Sequence, residues 1–312
     1  NHAPPSEDIP MRHILDCVGN TALVPLRRVV PEGSARVLLK IEAANPTGSM
    51  KDRMALAMIE AAEADGRLPA GGAVVEYTGG STGVSLSLVC TVKGHPLHIV
   101  TSDAFAREKL MHMEALGAKL TVIPSEGGGM NATLTRAMIA RAREIAEATG
   151  AFWTDQFNNK DQIRAYHAMA VEILRQTQGR VDAFVQMVGT GGCLRGNAEE
   201  LRRQQPGIRI VAVEPAESPV LSGGAPGSHK IDGVGAGFVV PNWEPSLVND
   251  IERVSTEDAK AMAARLGREE GIFGGTSTGG NVVAALRLAE RLGPAATIVT
   301  VMCDTGMKYF SK

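Results

Sequence analysis

Short runs rich in β-branched residues alternate with helix-length amphipathic stretches along almost the whole chain. The strand-like runs are Val37–Glu42, Val74–Tyr77, Leu97–Val100, Leu120–Ile123, Ala183–Val188, Ile208–Val213 and Ile298–Met302. Between them the spacing predicts helices over 84–92, 105–116, 131–148, 161–177, 194–204, 256–270 and 279–292. Parallel strands need crossover connections, and crossover helices cover both faces of a sheet. The expectation is an α/β protein built from doubly wound, mainly parallel sheets. With 312 residues the chain is long for one core and fits two domains. A crossing between them is expected around Ala151–Gln156. The Gly-, Pro- and Ser-rich stretch 215–250 reads as one long connection, the kind that is usually functional or mobile.

Composition excludes more than it identifies. Hydrophobic residues make up 44% and charged residues 21%, as in ordinary globular proteins. A formal charge of −2 offers no electrostatic footprint for nucleic acid or an anionic membrane. No apolar run approaches the roughly 20 residues that span a bilayer. Residues 1–12 lack the basic start and apolar centre of a signal peptide and read as a disordered or appended tail. Cys17, Cys90, Cys193 and Cys303 are scattered without metal-ligand spacing, which suggests free thiols in a reducing compartment. The histidines are equally dispersed, so no metal site is expected. The sequon Asn131-Ala132-Thr133 carries little weight without a secretory signal. A cytoplasmic protein is the expectation.

One lysine stands out by position. In Asn45-Pro46-Thr47-Gly48-Ser49-Met50-Lys51-Asp52-Arg53, Pro46 and Gly48 break the preceding strand into a turn. Met54, Ala57, Met58, Ala61 and Ala62 then fall on one helical face. Lys51 therefore lies in the first turn of a helix, where the macrodipole disfavours an ammonium. That makes it a candidate neutral amine, the form that adds to a carbonyl as a Schiff base. Taken alone, a solvated lysine explains the position as well.

Three glycine-rich turns follow, each opening a helix, the first two directly after a strand. Thr78-Gly79-Gly80-Ser81-Thr82-Gly83 offers backbone N–H groups and hydroxyls to a small anion such as a carboxylate, or is an ordinary hydroxyl-capped turn. Gly189-Thr190-Gly191-Gly192-Cys193-Leu194-Arg195-Gly196 has the arrangement of a phosphate cradle at a helix start. It lacks the lysine of a nucleotide-triphosphate loop and does not match G-x-G-x-x-G. Glu214, ending the next strand, keeps a dinucleotide reading open as a ribose-binding acid. In Gly274-Gly275-Thr276-Ser277-Thr278-Gly279-Gly280-Asn281, Ser277 is either the N-cap of the following helix or a hydroxyl facing the ring nitrogen of a ligand.

A helix-start lysine followed by three such turns in this order resembles the fold-type-II pyridoxal-phosphate enzymes, whose fold is that of the tryptophan synthase β-chain. Within them the likeness is to the cysteine synthase (O-acetylserine sulfhydrylase)/cystathionine β-synthase family. It covers about residues 14 to 310. Val18–Leu26 is similar to the family's opening segment, with Ala22 where proline is usual. His229–Phe238 is similar to its loop over the cofactor, and Cys303–Tyr309 to its closing segment.

The resemblance implies pyridoxal 5′-phosphate as cofactor, bound as a Schiff base to Lys51, which then serves as base for the substrate α-proton. It implies that Gly189, Thr190, Gly191, Gly192 and Cys193 hold the phosphate, that Ser277 faces the pyridine nitrogen, and that Gly235 borders the cofactor. Thr78, Gly79, Ser81, Thr82 and Gln156 would surround the substrate carboxylate, with Ser81 also facing the ring hydroxyl. The implied domains are a smaller mobile one over 43–150 and a larger one over 13–42 plus 151–312, in a homodimer.

Departures qualify this. The family's substrate loop reads T-S-G-N-T-G, whereas Gly79 and Ser81 here replace its serine and asparagine. Cys193 replaces a threonine whose hydroxyl donates to phosphate, a loss of roughly 1 kcal/mol or more. Tyr166-His167 also departs from the pattern, and His167 reads as a packed helix residue.

The implied function is β-replacement on an activated L-serine through an aminoacrylate, most simply with sulfide to give L-cysteine. Cystathionine β-synthase chemistry and an amine-using enzyme of secondary metabolism are alternatives. A catalytically weak cofactor-binding regulator is a fourth reading, from another class. A nicotinamide dehydrogenase explains neither Lys51 nor Ser277.

Overall fold

In the computed structural model, which describes residues 13–125 and 132–310, the strands gather into two sheets. The expected tail and Asn131 of the sequon lie outside the described residues. The larger sheet runs β1 (Leu23–Pro25), β2 (Arg36–Ile41), β10 (Thr297–Met302), β7 (Ala183–Met187), β8 (Arg209–Pro215), β9 (Asp250–Val254), with only β1 antiparallel to its neighbour. The smaller one runs β5 (Lys119–Ile123), β4 (Leu97–Ser102), β3 (Val74–Tyr77), β6 (Phe152–Trp153), all parallel. β3 and β7 are buried along their whole length, as strands covered on both faces must be. The α/β expectation therefore holds.

Helices follow the expected order: α1 (Lys51–Ala64), α2 (Ser81–Lys93), α3 (Arg107–Ala115), α4 (Ala132–Thr149), α5 (Asp161–Thr177), α6 (Gly192–Gln204), α7 (Thr256–Arg265) and α8 (Thr276–Leu292). α7 ends in a π-helical turn over Leu266–Glu270, closed by Gly271 at φ 70. One apolar cluster runs from Val74, Val84 and Ile99 through Met54, Met58 and Tyr166 to Phe184, Ile210 and Val299, so the two sheets share an interior. α7 and α8 cover the far face of the larger sheet with Met262 and Leu286. α4 covers the far face of the smaller one with Leu134, Met138 and Ala142.

Three differences from the sequence reading have physical causes. β1, β6 and β9 are short edge strands with no long apolar run, so composition does not announce them. Because Phe152–Trp153 pairs with Val74–Val75, the chain leaves the smaller sheet after Trp153, within the crossing expected around Ala151–Gln156 but three residues beyond the domain bound at 150. Finally, α2, α6 and α8 begin two or three residues early, at Ser81, Gly192 and Thr276. Hydroxyl and glycine residues read as loop, yet burial of those first turns carries them into the helix.

Candidate active site

Lys51 opens α1, and its turn is pinned from both sides. Asp52 accepts from Thr47 N (2.8 Å), Thr47 Oγ1 (2.5 Å) and Ser85 Oγ (2.5 Å). Met50 N donates to Cys303 O (2.9 Å), and Thr305 N to Gly48 O (3.0 Å), which presses the turn onto the C-terminal segment. Lys51 is only 9% exposed. Burial pushes its amine below the ordinary lysine range, against the opposing pull of Cys193, Cys303 and Asp304. Burial thus shifts the Lys51 amine in the direction of the neutral form that the sequence suggested.

The second glycine turn lies against it. A β-carbon built on Gly189 would stand 3.9 Å from Lys51 Nζ and 2.4 Å from Gly233 O, so only glycine permits this approach. Gly191, at φ +86, is the N-cap of α6, and among the described residues no side chain caps that helix. Its leading N–H groups are left for an anion. The strap that includes Gly235 folds over the turn through Gly235 N to Val188 O (3.1 Å), and His229 Nε2 lies 3.0 Å from Gly235 O. Thr190 Oγ1 donates to Gln162 Oε1 (2.7 Å). Cys193 is buried, and burial raises its thiol well above the usual range, so it stays neutral.

At the third turn the N-cap of α8 is Gly275, and Ser277 is the second helical residue. The N-cap reading of Ser277 is therefore corrected. Its hydroxyl is buried and hydrogen-bonds the Cys303 thiol, which burial pushes up to about 11. Ser277, Cys303 and Lys51 thus meet at one place.

The first turn brings together most of the expected substrate-site residues. Thr82 Oγ1 donates to Gln156 Oε1 (2.8 Å), and Thr78 Oγ1 accepts from Gly80 N (3.1 Å). Ser81 Oγ donates to Asp304 Oδ2 (3.2 Å) and lies 3.4 Å from Lys308 Nζ, so its single proton is engaged with the C-terminal segment. Gly79 meets Phe105: a β-carbon there would fall 1.8 Å from the ring. Gly79→Ser is therefore expected to destabilise the protein by about 1–3 kcal/mol through overpacking. Phe105→Ala in the same chain is expected to recover most of that loss. Denaturant melts of the two single variants and the pair measure it; additive losses would sink the pairing.

The sequence reading missed several groups here. Glu76, the lone charge of β3, accepts from Tyr77 N (2.9 Å), Trp153 Nε1 (3.3 Å), Thr154 Oγ1 (2.7 Å) and Gln156 N (3.0 Å). Burial nevertheless raises it to about 7. A carboxylate inside an apolar strand was the available signal. Gln162 and Phe105 gave none, and Asp304 stood in the closing segment without an assigned role. Burial lowers Lys308 to about 8.

The family of pyridoxal-phosphate dependent enzymes matches residues 14–304. The chain belongs to this family. It is a pyridoxal-phosphate-dependent enzyme, and the residues in place fit that cofactor: a buried low-pKa lysine, an uncapped helix start, and a glycine turn with no room for a side chain. A cysteine synthase of Staphylococcus aureus (strain Mu50) is 39% identical over 304 residues, covering 97% of this chain and 96% of that one. The solved cysteine synthase of Entamoeba histolytica superposes with a TM-score of 0.92 at 36% identity, over 100% of this chain and 92% of that one. The O-acetylserine-dependent cystathionine β-synthase of Helicobacter pylori gives 0.88 at 31% identity, over 97% and 98%.

This pyridoxal-phosphate enzyme leaves little for the dinucleotide reading. Glu214 is buried and accepts from Leu221 N (2.7 Å) and from both N (3.2 Å) and Oγ of Ser222, so it holds its own loop. His167 Nε2 lies 2.8 Å from Glu199 Oε2, between α5 and α6, and Glu199 also accepts from Arg195 Nε (2.8 Å). Among the described residues no group of three metal-ligating side chains gathers, and no helix is long and apolar enough to cross a membrane.

Proposed function

We propose that the protein catalyses β-replacement on an activated L-serine, with O-acetyl-L-serine as donor and sulfide as nucleophile, giving L-cysteine and acetate. The observation that carries this is the buried, low-pKa Lys51 amine held against Gly189 and the Cys303–Asp304 segment. Bound pyridoxal phosphate supplies the electron sink for the charge left at the substrate α-carbon. Gly189 to Gly192 and Cys193 hold its phosphate through the start of α6. Ser277 presents a hydroxyl to its ring nitrogen, and Gly235 covers it. Thr78, Gly79, Ser81 and Thr82, with Gln156, take the substrate carboxylate. Lys51, once free, accepts the α-proton as general base.

Residues 43 to 153 form the smaller, closing domain in this reading. The links Ser81–Asp304 and Lys308–Ser81 support it, because they tie the substrate turn to the C-terminal segment on closure. A homodimer is supported by the exposed apolar patch of Phe273, Met307 and Phe310 (49%, 64% and 69% exposed). A cytoplasmic setting fits four free thiols. The altered substrate turn, with Gly79 and Ser81 in place of serine and asparagine, favours a second reading, in which homocysteine or an amine is the preferred nucleophile.

The test is product analysis of the holoenzyme with O-acetyl-L-serine and equal sulfide, homocysteine and a small amine. L-cysteine as the main product, at about 1–1000 turnovers per second, is the expected result. Another adduct would move the assignment to the second reading, and donor consumption by none of them would overturn β-replacement.

A further inference from the structure

Gln162, on the first turn of α5, has no exposed surface; it touches the phosphate turn directly and reaches the substrate turn through Gln156. Its Nε2 donates to Gln156 O (2.5 Å) and Asn159 O (2.8 Å), and its Oε1 accepts from Thr190 Oγ1 (2.7 Å). Two carbonyls face the amide nitrogen, so the amide has only one acceptable orientation. The single proton of Thr190 must then point at Gln162 and not into the glycine turn. The packing is as close as the hydrogen bonding, since a β-carbon on Gly192 would stand 2.4 Å from Gln162 Oε1. On the other side, Gln156 passes the chain to Thr82 (2.8 Å) while its N–H is fixed on Glu76 (3.0 Å). The residue before it, Asp155, is held at φ 43, an uncommon conformation for a non-glycine residue.

We propose that Gln162 is a positioning residue that locks the substrate-carboxylate turn to the phosphate turn, so that each site's affinity depends on the other; this rests on the β-replacement reading. The lock explains why Cys193 is tolerated. With the Thr190 hydroxyl committed to Gln162, the phosphate turn works through backbone N–H groups, and a second hydroxyl at 193 is not part of the arrangement. Coupling of this kind is reciprocal, so weakening the phosphate side also weakens donor binding.

The experiment uses holoenzyme of wild type, Gln162→Met, Thr190→Val and the double variant. It reads the KM and kcat for O-acetyl-L-serine and the dissociation constant for pyridoxal phosphate by absorbance. Gln162→Met is expected to raise both the donor KM and the cofactor dissociation constant about tenfold, with kcat changed less than about threefold. Thr190→Val is expected to raise donor KM about threefold, and to add nothing in the Gln162→Met background. Independent, multiplying effects of the two substitutions would overturn the lock, as would a donor KM within about twofold of wild type in either single variant. If Gln162→Met fails to fold, donor KM in Thr190→Val decides alone. Wild-type protein that binds no pyridoxal phosphate would overturn the function reading, and this inference with it.

Discussion

Lys51→Ala is expected to lower donor turnover by about 10⁴-fold, the upper range for removal of a positioned acid–base group. It should leave the fold intact and stability unchanged or slightly raised. The physical reason is that Lys51 is buried without an ion pair among the described residues, so its removal relieves desolvation without orphaning a carboxylate. The other buried lysines are engaged elsewhere among the described residues: Lys40 is bound to Glu172 (2.6 Å), Lys109 lies over the Tyr309 ring (4.2 Å), and Lys308 faces Ser81 from the C-terminal segment. Lys51→Arg is expected to fail equally, because a guanidinium does not lose its proton at working pH. Rapid-quench product analysis with thermal melts on the same samples separates chemistry from folding. Turnover within about tenfold of wild type in Lys51→Ala would remove Lys51 from the mechanism.

The interior of the fold is more legible in the sequence than its edges. β3 and β7 read as apolar runs because both faces are covered, and the helices between them keep a clear period. β9, with Asp250, Glu252 and Arg253, is stabilised by its neighbour β8 and not by its own composition. The site divides in the same way. The glycine turns are local devices, visible wherever glycines cluster at the opening of a helix. Glu76 and Gln162 act on residues as far as 80 and 28 positions away, and no local pattern encodes such partners. Ser277 shows the intermediate case, since its neighbourhood was recognisable but its place in the helix depended on where burial starts α8. Phe105 is legible only in reverse: the glycine at 79 marks a space that something else fills.

Arg53→Met is expected to destabilise the protein by about 3–5 kcal/mol at neutral pH, the range for breaking a buried ion pair from one side. Two residues beyond Lys51, Arg53 donates to Glu42 through Nε (2.7 Å) and Nη2 (2.9 Å), and to Glu172 through Nη1 and Nη2 (both 2.8 Å). Lys40 completes a cluster of two cations and two carboxylates, with Lys40 and Glu42 fully buried and Arg53 5% exposed. Methionine fills similar volume but leaves Glu42, among the described residues, with Thr21 and Asn45 as its side-chain donors. The consequence extends to function, because Asn45 and Glu42 begin the turn that aims Lys51. Acid gives a second reading of the same cluster. Burial raises the Glu172 carboxyl, but hydrogen bonds and charge from Arg53, with Lys40, outweigh it and hold it at about 2, below its usual 4.5. A depressed carboxylate contributes stability that is complete above its unfolded pKa and is lost as pH falls through the folded one. Wild type should therefore lose this contribution between about pH 4.5 and pH 2, and Arg53→Met should lose much less over that window. Denaturant melts at about pH 7 and about pH 3 measure both, and the gap between the two proteins should narrow at the lower pH. A constant gap, or a loss below about 1 kcal/mol at neutral pH, would mean that the cluster is not ionised in the native protein and that the start of α1 is held by packing alone.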